Sequence, residues 1–419
     1  MVSDLTLAGG ARAVARCDAL GVQPFSSEPG NLTRTYLTPA HKAALEQLAE
    51  WMEQAGMAVR MDPAANLVGR YEGTEEGAPA LVIASHIDSV RDAGRYDGPL
   101  GVMLGVECVA ALDAAGERMP FPIEVVAFGD EEGSRFPTAM LTSRAMAGTA
   151  PDDALDLVDR DGVSVGTAMA EFGLDPQRFF SAARPKGSVF AYLEAHIEQG
   201  PVLEAEDLPV GMVTGIAAQL RYEIALTGFA AHAGTAAMNL RKDALAAAAE
   251  CVLAAEAVGR GVPPDLVATV GKMQVLPGAP NVVPGEVRFS LDVRAGDQAT
   301  RDRAAERILE AFDGIAQARS IGIAVEKRLD LPASPSDPDL SEVLIQSIAG
   351  CGLYPRRLVS GAGHDAMIMA DLCPTAMLFI RCAGGVSHNP AESVMPEDCE
   401  EALRVMLEFI HRLGARYGA

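Results

Sequence analysis

The stretch Ala80-Leu81-Val82-Ile83-Ala84-Ser85-His86-Ile87-Asp88-Ser89 decides the fold class. Residues Ala80–Ser85 are apolar or small, include β-branched side chains and follow Gly77 and Pro79, the signature of a buried strand. Downstream, Leu100–Ala115 reads as a helix and Pro122–Phe128 (PIEVVAF) as a second buried strand. Strand, helix, strand in that order predicts a βαβ unit with parallel strands, and so an α/β fold with a mostly parallel sheet. Upstream, His41–Gly56 places Ala44, Leu45, Leu48, Trp51 and Met52 at near-helical spacing. Ligands of parallel sheets gather beyond the carboxyl ends of the strands, so chemistry is expected just after Ser85 and just after Phe128.

The middle of the chain has a different pattern. Between about Val213 and Ala324 the sequence reads as strand (Arg221–Leu226), helix (Lys242–Val258), strand (Ala268–Val275), strand (Glu286–Val293), helix (Ala299–Ala318) and strand (Ile321–Glu326). Turn residues bound this α+β stretch at Leu208–Gly211 and at the proline-rich Leu331–Asp339 (LPASPSDPD). The expected organisation is a catalytic domain made of residues 1–212 and 328–419, with residues 213–327 inserted as a second domain. No internal repeat of solenoid period is present.

Thirty-four Lys and Arg face 57 Asp and Glu among 419 residues, a net charge of −23 with a pI near 4.7. That balance argues against nucleic acid and against anionic membrane surfaces as partners, since both need clustered cations. The first ten residues lack a secretory pattern, and no apolar run approaches the length of a membrane span. Seven scattered cysteines without a CxxC pair read as reduced thiols, so the expected compartment is the cytoplasm.

Five of the seven histidines sit in glycine- or carboxylate-rich segments. His86 and Asp88 alternate after the first strand, so both can face one side, with Asp88 orienting the imidazole. Asp97 follows in a Gly-flanked loop and could offer one oxygen to each of two cations. After the second strand comes Gly129-Asp130-Glu131-Glu132-Gly133, three acids that need compensating positive charge. Adjacent Glu side chains are expected to diverge, one as a cation ligand and its neighbour as a general base. Two further clusters, Glu194-Ala195-His196-Ile197-Glu198-Gln199-Gly200 and Gly384-Gly385-Val386-Ser387-His388-Asn389-Pro390-Ala391-Glu392, each bring one histidine in a loop with turn residues. Nitrogen and oxygen donors without thiolates suit zinc, and also manganese or nickel.

The order HIDSV, Asp97, FGDEEGSRF, HIEQGPVLE, AHAGT, NVVPGEVRFSLDVR and GGVSHNPAE resembles the dinuclear-metal amidohydrolases related to metal aminopeptidases. It is most similar to the branch of allantoate amidohydrolases, N-carbamoyl-L-amino-acid hydrolases and ureidopropionases, from about Asn31 to the C-terminal helix. The resemblance implies two divalent cations, zinc or manganese with nickel or cobalt as alternatives. One would be held by His86, Asp97 and His196, the other by Asp97, Glu132 and His388. It makes Glu131 the general base and Asp88 the residue orienting His86. It assigns Gln199, Arg221, His232, Asn281 and Arg294 to substrate, with His232 also acting on the developing oxyanion. The inserted domain resembles a lid through which two copies form a homodimer.

His196 stands where related peptidases have an acid, which tilts the reading from peptide toward ureido substrates. Asp130 and the pair Arg381-Cys382 lean toward allantoate among small ureido carboxylates. N-carbamoyl amino acids, a ureidopropionase substrate and dipeptides stay open as alternatives. Ala236-Ala237-Met238 replaces a proline-containing stretch common in the branch, so a looser loop after His232 is expected. His364, in a Gly-rich segment, has no assigned role.

Overall fold

In the computed structural model, which describes residues 8–261 and 265–417, the ALVIASH run forms a fully buried strand at the centre of a sheet. The chain first lays down helices α1 (Gly9–Leu20) and α2 (Pro39–Gln54), then strands β1 (Ala58–Met61), β2 (Leu67–Tyr71) and β3 (Ala80–His86). Helix α3 (Pro99–Ala115), β4 (Ile123–Phe128), β5 (Val189–Ile197) and β6 (Val210–Ile216) follow. Next come β7 (Ala218–Thr227), β8 (Ala231–His232), β9 (Val267–Thr269), β10 (Met273–Leu276), β11 (Val282–Val283), β12 (Glu286–Ala295), β13 (Gly322–Leu331) and β14 (Ser334–Pro335). The strands end with β15 (Arg357–Ser360) and β16 (Thr375–Ile380), before a long helix at Pro396–Tyr417.

The described residues divide into two units, each with its own hydrophobic core. The first comprises 8–214, 336–358 and 363–417. Its sheet runs β1-β2-β4-β3-β5-β16-β6, and β14 and β15 also pair with β6. The four central strands β4, β3, β5 and β16 are parallel, whereas β1, β2 and β6 join antiparallel. The βαβ unit is β3-α3-β4, with β3 and β4 parallel neighbours.

Helix α3 is buried over nearly its whole circumference, as a helix reading GVMLGVECVAAL must be to leave water. Glycine lets it lie close on the sheet: a Cβ at Gly101 would stand 2.0 Å from the Ala195 carbonyl oxygen of β5. Its one buried acid, Glu107, is paired with Arg12 and Arg16 of α1.

The second unit, Gly215–Pro335 with Val359–Ala362, builds an antiparallel sheet β10-β12-β7-β13 against helices Ala244–Gly259 and Gln298–Ala318. It extends beyond the expected 213–327 because β13 continues to Leu331, paired with β7, and β14 pairs with the end of β6. The strand expected at Ala268–Val275 is two. β9 pairs with Asp292–Arg294, and β10 pairs with Glu286–Phe289 at the other end of β12.

Candidate functional site

Every residue in the first group of candidates lies at or beyond the carboxyl end of a parallel strand, or at the start of α3. His86 is the last residue of β3, Glu131 and Glu132 follow β4, His196 is penultimate in β5, and His388 follows β16. Asp97 directly precedes Gly98, the residue before α3, so its carboxylate stands at the positive end of that helix. Gly98 has φ +83°, and a Cβ there would fall 2.4 Å from the His86 ring, so the turn that delivers Asp97 to His86 requires glycine.

Asp97 is the centre of the cluster. Its Oδ1 lies 3.4 Å from His86 Nε2 and 3.1 Å from His196 Nε2; its Oδ2 lies 3.4 Å from His388 Nε2. His388 Nε2 is also 3.3 Å from Glu132 Oε1. Donor atoms of His86, Asp97 and His196 fall within 4.8 Å of one another, as do those of Asp97, Glu132 and His388. Five residues between positions 86 and 388 are thus brought together with a carboxylate between two groups of donors.

This donor set fits cations. His86 Nδ1 is 3.1 Å from the Asp88 carbonyl oxygen and His196 Nδ1 is 2.9 Å from that of Ile197. Each Nδ1–H is therefore committed to the backbone, which turns the Nε2 lone pairs, 3.4 Å apart, toward Asp97. Two lone pairs and a carboxylate oxygen converging in a buried space repel one another unless positive charge lies among them. In the bare protein protons take that part. Burial alone would lower His86 and His196, but Asp88 and Asp97 raise the first and Asp97 raises the second. Burial likewise opposes ionisation of Asp97, yet its bonds with His196 and His86 hold its carboxyl well below the usual range. His388 is pushed up to about 8, chiefly by Glu132. Cations and protons then compete for the same nitrogens. Cation uptake by stripped protein should release protons, and affinity should rise as pH climbs through about 8. Calorimetric titration in buffers of different ionisation enthalpy checks both.

Asp88 meets His86 through two oxygens, its carbonyl 3.1 Å and its Oδ1 3.5 Å from Nδ1, while its carboxylate oxygens also accept the backbone N–H groups of Glu131 (3.1 Å) and Glu132 (3.3 Å). One residue therefore aligns the loops after β3 and β4. A carboxylate oxygen from each of Glu131 and Glu132 lies within 4.8 Å of the other and of His86. Asp130, which precedes them, has a left-handed backbone (φ +59°) and a fully buried side chain. Burial raises the Glu131 carboxyl well above its ordinary range; His86 opposes this, and Glu132, Asp365 and Asp88 add to it.

Several contacts escape a reading by motif. Gln199 Nε2 donates to Asp97 Oδ2 (2.8 Å) and to Ser387 Oγ (3.2 Å), and the Ser387 hydroxyl donates to the same Asp97 oxygen. His364 is buried with its ring edge-on to His196, centroids 4.5 Å apart, and burial holds it well below the usual imidazole range. Glu194 of β5 is fully buried and bonded by Ser85, Tyr192 and the Ala366 N–H. His196 was expected in a loop; it lies within a strand whose Glu194 hides the apolar pattern.

The remaining candidates belong to the second unit. His232 on β8 pairs with Val282 on β11, and the Asn281 carbonyl accepts the Ala233 N–H, so His232 and Asn281 are neighbours. In the loop after His232, Arg241 donates to the carbonyls of Ala233 and Ala236. Arg221 on β7 faces Asp292 on β12 and bonds it through Nε and Nη2. Arg294 bonds the same carboxylate and the Gly361 carbonyl. Asp292, with Gln219 as a further donor, thus holds the two guanidinium groups side by side.

Comparison with known proteins places the chain in a family. The description of Peptidase family M20/M25/M40 matches residues 82–412, so the chain belongs to that family. It is 41% identical over 394 residues to an N-carbamoyl-L-amino acid amidohydrolase of Geobacillus stearothermophilus, covering 94% of this chain and 95% of that one. An allantoate deiminase of Arabidopsis thaliana is 38% identical over 430 residues, covering 95% of this chain and 81% of the relative. Among solved structures, an amidase of the hydantoinase/carbamoylase family from Burkholderia multivorans superposes with a TM-score of 0.89 at 34% identity, over 96% of this chain and 97% of that one. Among the described residues no helix is long and apolar enough to cross a membrane.

Proposed function

We propose that the chain hydrolyses a linear ureido C–N bond in a small carboxylate substrate, with allantoate as the preferred substrate. The observation that carries this reading is Asp97 standing between His86 and His196 on one side and His388 and Glu132 on the other, with Glu131 alongside. His86, Asp97 and His196 would hold one divalent cation and Asp97, Glu132 and His388 a second, zinc or manganese. Two such cations supply a lowered pKa for water and polarisation of the ureido carbonyl.

Glu131 takes the proton of the attacking water and delivers it to the departing nitrogen. Asp88 holds the Glu131 backbone in place for that transfer. Glu131, His86 and His196 are buried on one side of the site, while His388 stays half exposed on the other. His232 is assigned to the developing oxyanion, and Gln199, Arg221, Asn281 and Arg294 to the substrate. Hydrolysis of allantoate would yield ureidoglycine, carbon dioxide and ammonia. Dimerisation through the second unit belongs to the same reading, supported by exposed apolar side chains at Phe229, Met238, Leu240 and Leu253.

Asn281 and Arg294 would grip the substrate carboxylate by charge-assisted hydrogen bonds. With Asp292 fixing its guanidinium, Arg294→Ala should lower kcat/KM by about 10–100-fold, the loss expected for a hydrogen bond to a charged group. Most of that should appear in KM, as steady-state kinetics would show.

A second reading, N-carbamoyl-L-amino-acid hydrolysis, is favoured by the 41% identical relative of that name. Ammonia release from allantoate and N-carbamoyl amino acids, and free amino acids from dipeptides, assayed side by side on the cation-reconstituted protein, test both. The highest kcat/KM for allantoate supports the first reading; a higher value for a carbamoyl amino acid replaces it with the second, and turnover of dipeptides alone overturns both.

A further inference from the structure

Glu392 lies four residues beyond His388, and its side chain is buried. Its Oε1 accepts two consecutive backbone N–H groups, from Tyr96 at 2.7 Å and from Asp97 at 3.1 Å. These partners are 295 or more residues away in sequence, so the contact is built by the fold and not by local turn geometry. The packing is tight. A Cβ on Gly94 would stand 2.2 Å from Glu392 Cδ and 2.4 Å from Oε1, so the loop leading to Asp97 is shaped to admit this carboxylate.

The segment carrying Glu392 is itself closed. The Ala383 N–H donates to the Ser393 carbonyl across its neck. Within it, the Ala391 N–H donates to Asn389 Oδ1 and the Glu392 N–H to the Asn389 carbonyl. A single braced loop therefore reaches Asp97 from two directions. Ser387 and His388 address the carboxylate; Glu392 addresses the peptide N–H behind it.

We propose that Glu392 is a positioning residue for the cation pair, fixing the Asp97 backbone against the loop that carries His388. The proposal rests on the donor-set reading above. Without the Glu392 acceptor, two buried N–H groups lose their partner, and the turn must shift to find another. Any shift displaces Asp97 from both groups of donors at once. Partners of this kind, one step removed from the metal, commonly govern affinity by about 10–100-fold.

The test is titration of chelator-stripped full-length protein with cobalt(II), read by calorimetry and by visible absorption of the bound ion. Wild type should take up two ions per chain. Glu392→Ala should bind them about 10–100-fold more weakly with an altered spectrum, while Glu392→Gln, whose amide oxygen can accept the same two N–H groups, should stay within about threefold of wild type. Gly94→Ala should also weaken binding, by pushing the carboxylate aside. A folded Glu392→Ala variant with wild-type affinity, or a Gln variant as weak as Ala, overturns the proposal. If Glu392→Ala does not fold, Gly94→Ala decides, and wild-type affinity there overturns it. Wild-type protein that takes up no cobalt overturns the donor-set reading and this proposal with it.

Discussion

Glu131→Gln is expected to lower kcat by about 10³-fold while both cations stay bound, within the range of about 10²–10⁴ for loss of a positioned general base. The amide matches the carboxylate in shape but cannot accept the proton. Little else should change, because the Glu131 backbone is held independently of its side chain. Its N–H is bonded to Asp88, and its carbonyl accepts the Met140 N–H at 3.2 Å, as the Asp130 carbonyl does at 2.7 Å. Metal analysis beside steady-state ammonia release makes the comparison. Full turnover with both cations retained would remove Glu131 from the role of base.

Asp97→Ala should have the larger effect: loss of both cations on dialysis, and activity reduced beyond about 10⁴-fold, since metal chemistry and base catalysis fail together. Three imidazoles, from His86, His196 and His388, would then face one another with Glu132 as the sole acid among the four remaining donors. Asp97→Asn separates charge from shape, and should keep the fold while binding cations more weakly than wild type. Elemental analysis after dialysis, together with the thermal midpoint, distinguishes a lost site from a lost fold. Retention of two tightly bound ions by Asp97→Ala would show that this carboxylate does not serve both.

The central βαβ unit was legible because β3, α3 and β4 are mostly apolar and leave no competing period. Strand β5 was not. Glu194 and His196 interrupt its apolar run, and what makes Glu194 tolerable inside, bonds from Ser85, Tyr192 and Ala366, comes from elsewhere in the fold. The five donors could be named from motif order, since residue type and sequence carry that information. Their surroundings could not. The left-handed backbone at Asp130 and the several partners that Asp88 serves at once depend on the folded chain. Arg221 and Arg294 were named separately; that one carboxylate, Asp292, holds both is a consequence of strand register.

The position of β16 between β5 and β6 bears on how the molecule is made. On the ribosome, β5 and β6 emerge long before the strand that lies between them. Through that interval each has an open hydrogen-bonding edge, the kind of surface that recruits neighbouring polypeptides into aggregates. Nascent chains of this design have reason to need chaperone cover until residue 380 appears. His388 emerges only afterwards, so the donor group of Asp97, Glu132 and His388 is completed late in synthesis.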